Sequence, residues 1–179
     1  MRWLDRLRGG GSGGPPDPKP IYLALRGKLL ETDPASLGLA PSTSPGSRRV
    51  WAVVMDTAFP EGVASLVVVA DGTTSLYTST GGGTIGAGTH ENVALASRAF
   101  LDRVDGALDL LVPASAFPLP TTGRVRFCVL TFDGGRTAEA DEQDLGESRH
   151  PLSGVFHAGH DVLTELREID SQVVAERGY

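Results

Sequence analysis

The fold class is set by residues 50–80, whose sequence is VWAVVMDTAFPEGVASLVVVADGTTSLYTST. Two short apolar runs rich in β-branched residues, VWAVVMD at 50–56 and VASLVVVA at 63–70, favour strands over helices. Asp71-Gly72 predicts a tight hairpin, because both positions tolerate a positive φ, and the more polar run 73–80 then predicts a third strand. Three consecutive strands joined by short turns predict an antiparallel sheet.

The remainder of the chain alternates helices with further strands. Apolar residues at helical spacing predict helices at 21–31, from about Thr89 to Gly106, and at 155–169. Two more strands, 124–132 and 136–140, flank a glycine turn, and an acidic loop follows at 141–151. The order βββ-α-ββ-α indicates an α+β fold with an antiparallel sheet of about five strands and helices packed on it.

In element order, this arrangement resembles profilin-like and roadblock-like modules. The resemblance rests on the succession of helices and strands alone, and no sequence motif accompanies it. It therefore implies a small sheet backed by helices, and it assigns no activity, cofactor or site residue to this chain.

Glycine and proline are concentrated in two places. Residues 9–20, GGGSGGPPDPKP, hold five Gly and four Pro, which predicts a tether, and five more glycines lie in 81–88. We therefore predict four segments. These are a flexible basic arm with a Gly/Pro linker at 1–20, a helix and loop at 21–49, a single α+β domain at 50–170 and a C-terminal tail at 171–179.

The net charge of −6 is unevenly distributed. Residues 1–49 hold 8 Lys/Arg and 4 Asp/Glu, a net +4, whereas residues 50–179 hold 8 and 18, a net −10. A body of this charge repels phosphate backbones, so we expect no nucleic-acid partner. Residues 1–8, MRWLDRLR, are basic and partly apolar. We expect these residues to form a frayed leader. Contact with an anionic membrane or a partner groove is the less expected alternative.

Cysteine usage and hydropathy define the expected compartment. A single cysteine excludes a disulfide framework and any multi-cysteine metal site. No apolar run approaches the roughly 18 residues of a membrane span, and the first residues lack the apolar core of a secretory signal. We therefore predict a cytoplasmic protein. Cys128 lies inside an apolar strand, which is typical of a buried structural residue and not of a nucleophile.

Two predicted strands are apolar on both faces. In 63–70 and in 124–132, both alternating sets of side chains are largely apolar, whereas a strand with one wet face alternates with polar residues. The centre of the sheet is therefore expected to be covered on both sides. Either helices cover both faces or a second subunit covers one, and we favour a homodimer.

The glycine loop is the most specific local pattern. Gly81, Gly83 and Gly86 satisfy G-x-G-x-x-G between a strand and a helix, which in other folds permits approach to a phosphate at a helix N-terminus. The polar preceding strand argues against a dinucleotide site, so a different anionic ligand and a purely structural loop are the alternatives. The predicted ligand-binding residues are Gly81, Gly82, Gly83, Thr84, Gly86, Gly88, Thr89 and His90.

The histidines suggest only weak candidates for chemistry. His157 and His160 are three residues apart on a predicted helix and are weak metal-ligand candidates, although a surface pair with Asp161 explains His157 equally well. We predict no metal and no cofactor. The acidic run 139–147 lacks the spacing of a calcium loop and indicates a solvated loop or a surface for a basic partner.

These patterns favour a non-enzymatic protein–protein interaction or adaptor module with a protein partner. The first alternative is a regulatory domain that binds a small anionic ligand through residues 81–90 and the following helix N-terminus. The second is a histidine- or metal-dependent enzyme built around His90 with His150, His157 or His160, which requires the fold to bring these residues together.

Overall fold

The computed structural model describes the backbone of residues 17–177, and their side chains except at 170 and 172–177. Over this range, four α-helices accompany one seven-stranded antiparallel sheet of order β4-β3-β2-β1-β6-β7-β5. The helices are α1 (Pro20–Leu30), α2 (Glu91–Asp105), α3 (Glu142–Gly146) and α4 (Ser153–Arg177). The strands are β1 (Val50–Phe59), β2 (Gly62–Val69), β3 (Thr74–Thr78), β4 (Gly83–Thr84), β5 (Val112–Pro113), β6 (Arg124–Thr131) and β7 (Gly134–Asp141).

The α+β class and the antiparallel sheet are confirmed, but the sheet has seven strands in the described range and not about five. The two extra strands, β4 and β5, have two residues each and form the two edges. Their sequences gave no strand signal, because β4 lies in the glycine run and β5 contains Pro113. Proline is tolerated there because an edge strand has one unpaired side. Such short edges also limit pairing with other chains.

The helices differ from prediction at two places. The predicted acidic loop at 141–151 contains α3, whose first turn is capped by the Asp141 carboxylate, which accepts hydrogen bonds from the backbone N–H groups of Gln143 and Asp144. The last helix, α4, continues to Arg177, so the predicted tail at 171–179 begins inside a helix. The arm at 1–16 and residues 178–179 lie outside the described residues.

One face of the sheet carries the larger core. α2 and α4 pack across it, and α3 adds Leu145. The two long helices contribute buried apolar residues at helical spacing, and strands β1, β2 and β6 contribute every second side chain. The largest buried side chains of this core include Met55, Phe59, Phe100, Phe127 and Leu166.

The second face is covered by segments of the same chain. Leu29 and Leu30 of α1, Leu39 of the following segment and Phe117 of the β5–β6 loop pack on an apolar strip formed by Trp51, Ala52, Val54, Val67, Val69, Cys128 and Leu130. The two-sided apolar pattern is therefore satisfied within one chain. The pattern no longer argues for a second subunit, and the homodimer stays a prediction.

Two glycines of the 81–90 loop are required by close backbone approach. A Cβ on Gly83 would lie 1.9 Å from the carbonyl oxygen of Leu76, which precedes Tyr77, the residue paired with Gly83 in β3. A Cβ on Gly88 would lie 1.7 Å from the carbonyl oxygen of Gly72 in the β2–β3 hairpin. Gly86 has open space around it and a φ of +73°. The glycines at 83 and 88 thus serve the path of the chain from sheet to helix.

We expect Gly88→Ala to destabilise the fold by about 2 kcal/mol or more, because a side chain there displaces the β2–β3 hairpin. Gly86→Ala should cost only about 1 kcal/mol, the strain of a left-handed backbone without a clash. Urea unfolding monitored by circular dichroism measures both values. Equal losses in the two variants would contradict this assignment.

Candidate functional site

A buried ion pair joins α1 to the second face of the sheet. Asp56 of β1 is fully buried, and Arg26 of α1 donates to its carboxylate from Nη2 at 2.6 Å and from Nε at 3.0 Å. The Ser65 hydroxyl of β2 donates to the other carboxylate oxygen at 2.5 Å. A buried carboxylate requires this kind of charged and hydrogen-bonded compensation, so Arg26 and Asp56 depend on each other.

Two further polar side chains complete this cluster. The hydroxyl groups of Tyr22 and Ser65 share a hydrogen bond of 2.8 Å. The Cys128 thiol lies 3.6 Å from an Asp56 oxygen and 3.5 Å from Arg26 Nη2. We refer to Tyr22, Arg26, Asp56, Ser65 and Cys128 as the Asp56 cluster.

Burial and charge determine the protonation of the Asp56 cluster. Burial, with the Asp56 charge beside it, raises the pKa of the Tyr22 hydroxyl and of the Cys128 thiol well above their usual ranges. Burial alone would lower the pKa of Arg26, but its hydrogen bonds and charge interaction with Asp56 raise it above the usual value. Cys128 is thus a buried protonated thiol, as the sequence predicted, and the cluster lacks a solvent-accessible nucleophile or base.

The strand register explains how these residues meet. Asp56 lies opposite Ser65 in β2 and opposite Arg126 in β6, and Arg126 lies opposite Glu139 in β7. Paired residues point to the same face, so a polar row crosses the second face of the sheet. Within it, Glu139 forms ion pairs with Arg126 and Arg124. Tyr22 and Arg26, four residues apart on α1, face this row together.

The side of α1 that faces the sheet carries a charge among apolar residues. Tyr22 and Arg26 are buried there, and three leucines on the same side are half-buried, Leu25, Leu29 and Leu30. Ile21 and Leu23 are 62% and 46% exposed. An ordinary surface helix buries an apolar stripe and exposes its charges, so the buried Arg26 is the exception. The sequence alone did not reveal this arrangement, although a single charge in each of the segments VWAVVMDTAF and PIYLALRG was a signal for it.

The predicted ligand-binding residues at 81–90 surround the start of α2. The N-cap of α2 is His90, and not Thr89, which ends a short 3₁₀ helix. Several loop N–H groups bond within the fold: Gly81 to the Thr78 carbonyl, Gly86 to the Ser75 hydroxyl and His90 to the Ala87 carbonyl. These donors are therefore not directed toward a ligand.

The cleft beside the start of α2 is acidic. His90, Glu91 and Asn92 line a cleft of about 160 Å³ together with Glu165 and Glu168 of α4. Three carboxylates around so small a volume oppose the attraction of an anion to the helix N-terminus. The predicted anionic ligand is not tested by this geometry, but the charges are unfavourable to it.

Three of the four histidines make separate local contacts. His150 Nδ1 accepts from the Leu152 N–H at 3.1 Å, and His157 Nε2 lies 3.2 Å from the Gly146 carbonyl oxygen. The His160 ring packs against Phe156 in a tilted arrangement, with an interplanar angle of 51° and a centroid separation of 4.2 Å. Among the described residues, no group of three or more His, Cys, Asp or Glu side chains is arranged to hold a metal ion.

The acidic run is largely built into the fold. Glu139 belongs to the polar row, Asp141 caps α3, and Asp144 forms an ion pair with Arg149. Only part of the run therefore fits the predicted solvated loop.

Comparisons with family models, with curated proteins and with solved structures find no match. None of the helices in the described part of the chain is both long and apolar enough to cross a membrane. Functional inference for this protein therefore begins from the Asp56 cluster and the outward face of α1.

We expect strong coupling between Arg26 and Asp56. Either Arg26→Met or Asp56→Leu leaves one buried charge unpaired and should cost about 3–5 kcal/mol of unfolding free energy. The double variant should lose far less than the sum, because no charge remains and Tyr22 and Ser65 keep each other as partners. A double-mutant cycle by urea unfolding measures this coupling energy.

The exposed Arg48–Asp102 pair, substituted in the same way, is the control and should couple by less than about 1 kcal/mol. Additive losses at Arg26 and Asp56 would show that the two charges do not depend on each other.

Stability should fall in mild acid because of His160. Burial first, and then the nearby charges of His157 and Arg167, lower the pKa of His160 to about 4 from 6.5. The unfolded chain therefore binds a proton that the folded chain excludes between these pH values, so the contribution of neutral His160 is complete above pH 6.5 and is lost as the pH falls toward 4. Between pH 7 and 5, the wild type should lose about 1–2 kcal/mol more than His160→Phe, which keeps the ring contact. If the unfolding free energies of the two proteins changed with pH in parallel, His160 would not be the cause of the acid sensitivity.

Proposed function

We propose that this chain is a cytoplasmic protein–protein interaction module without an enzymatic step, and that the outward face of α1 is its contact surface. The observation that carries the proposal is the exposure of two large apolar side chains, Ile21 and Leu23, on a helix whose other side is held to the sheet by Arg26. Exposed apolar side chains grouped on a surface mark a contact site for a partner.

The proposed mode of recognition is a helix in an apolar groove. Residues at i and i+3 or i+4 supply the anchors in such contacts, and the exposed Ile21 and Ala24 have this spacing on α1. Lys19 and Lys28 are exposed at the two ends of the helix. Their charges favour a groove with an acidic rim, since complementary rim charges speed association.

The two alternative functions have less support in the geometry. An anionic ligand at residues 81–90 would lie beside three carboxylates. A histidine- or metal-dependent enzyme would need several ligating side chains at one site, and the described residues hold no such metal-binding group. The interaction module requires only the exposed side chains of a helix already held in place.

Site-specific photo-crosslinking in the native cells tests this proposal. A photoreactive phenylalanine analogue at position 21 or 23 should give discrete adducts with one protein. The same analogue at Leu95, which is 56% exposed on α2, is the matched control and should give none of these adducts. Adding Ile21→Ser to the chain with the probe at position 23 should reduce the adduct at least fivefold.

An identical adduct pattern at positions 21, 23 and 95 would contradict the proposal. An adduct whose mass is twice that of this chain would identify the partner as a second copy.

A further inference from the structure

The outer edge of β7 is paired along only part of its length. Over the described residues, β5 pairs with Arg136 and Thr137 alone, so residues 138–141 have β6 on one side and no strand on the other. We refer to residues 138–141 as the open edge. We propose that the open edge binds an extended segment of a partner protein, which adds a strand to the sheet and carries a lysine or arginine opposite Glu139. This surface is separate from the outward face of α1 and does not depend on the contact proposed there.

The direction of the peptide groups shows which hydrogen bonds the open edge offers. The Ala114 N–H donates to the Gly135 carbonyl from the outer side of β7, and the Glu142 N–H donates to the Gly123 carbonyl on the β6 side. Because peptide groups alternate between the two sides of a strand, odd-numbered residues of β7 point outward and even-numbered residues point to β6. Glu139 therefore directs its N–H and its C=O away from β6, where neither has a backbone partner in the described part of the chain.

The segment before β5 turns away before it reaches Glu139. In the register of β5 with β7, Val112 lies opposite Thr137, so Leu110 would lie opposite Glu139 if β5 were longer. Leu110 instead ends a 3₁₀ helix (Leu108–Leu110) and leaves the sheet. Leu110 and Val112 are 50% and 62% exposed, so apolar surface lies beside the open edge. Strand addition to such an edge gains main-chain hydrogen bonds, and neighbouring side chains give it specificity.

The polar row on the second face determines the charge of the partner. The row alternates in sign from strand to strand, from Asp56 of β1 through Arg126 of β6 to Glu139 of β7, where it ends at the open edge. Opposite charges on directly paired residues stabilise two strands, and like charges destabilise them. The next strand should therefore place a cation opposite Glu139, whose side chain is 24% exposed. Two copies of this chain joined here would place the carboxylates of Glu139 and Asp141 opposite one another, which disfavours a second copy.

The other face of the open edge favours an apolar residue in the partner. Ala140 is buried in the larger core, and Ala138 packs against that core. Because side chains alternate between the two faces of a strand, a residue between two cations would lie beside these alanines. The segment that fits the open edge thus alternates basic and apolar residues.

A pair of proline variants tests the open edge itself. Proline removes one backbone N–H, and a strand tolerates it where that N–H is not part of a ladder. Glu139→Pro should therefore remain folded, whereas Ala138→Pro removes an N–H that is directed to β6 and should unfold the sheet. Circular dichroism melting curves measure both. Equal losses of melting temperature would show that the Glu139 N–H is used within the fold, and they would overturn the proposal.

The binding test titrates the ¹⁵N-labelled full-length protein with the synthetic peptide VKVKV and follows the amide signals by NMR. The largest shift changes should fall on Glu139 and Asp141, and the amides of β3, whose outer edge is paired with β4, should keep their positions. The peptide VEVEV should bind at least fivefold more weakly, and Glu139→Gln should reduce this difference. VKVKV methylated at the backbone nitrogens of its lysines should lose its affinity, because it cannot donate to the Glu139 carbonyl.

Two results of the titration and one of sedimentation would overturn the proposal. Equal binding of VKVKV and its methylated form, or shift changes confined to residues outside 138–141, would show that no strand is added at the open edge. A wild-type dimer in sedimentation that Glu139→Pro converts to monomers would identify the occupant as a second copy, and the separate basic partner would be wrong.

Hydrogen exchange of the wild type keeps the proposal testable if neither proline variant folds. The Glu139 amide should exchange at least ten times faster than the amides of Ala138 and Ala140, which are directed to β6. Equal protection at these three positions would show that the edge is not open.

Discussion

The carboxylate of Asp56 is the constraint on which the second half of the fold depends. It lies in the middle of an apolar strand, where an unpaired charge would be strongly unfavourable. The guanidinium of Arg26 neutralises this carboxylate, so α1, which carries Arg26, lies against the sheet. Leu29 and Leu30 then reach the apolar strip on the same face. One buried charge in a central strand thus determines where a helix 30 residues earlier in the chain must lie.

This constraint also explains how a sheet with two apolar faces is completed by a single chain. α2 and α4 have enough apolar residues to cover one face, and the described part of the chain holds no comparable helix for the other. The chain covers that second face with a short helix and two loops, whose own apolar residues are few. The ion pair and the packing of Tyr22, Leu29 and Leu30 together fix which side of α1 faces the sheet, and this orientation leaves Ile21 and Leu23 exposed.

The sequence predicted the elements that carry their own pattern. The strands around Asp71-Gly72 and the helix ending at Gly106 follow from local composition, and the absence of Gly and Pro from 160 to 177 was a usable sign that α4 continues. The edge strands could not be predicted, because Gly83–Thr84 and Val112–Pro113 become strands only through their neighbours. Arg26 and Asp56 were each conspicuous as lone charges, but their pairing depends on packing between distant segments. Ending the first predicted strand at Asp56 concealed its burial, since the strand continues to Phe59.

Contact at Ile21 and Leu23 is thermodynamically linked to the buried ion pair. A partner that binds these side chains on the docked helix binds only the state in which Arg26 contacts Asp56, and it therefore stabilises that state. Because the coupling between two sites is reciprocal, a change that weakens the ion pair must also weaken the partner. The sign of this coupling would be opposite if α1 had to leave the sheet before it could bind.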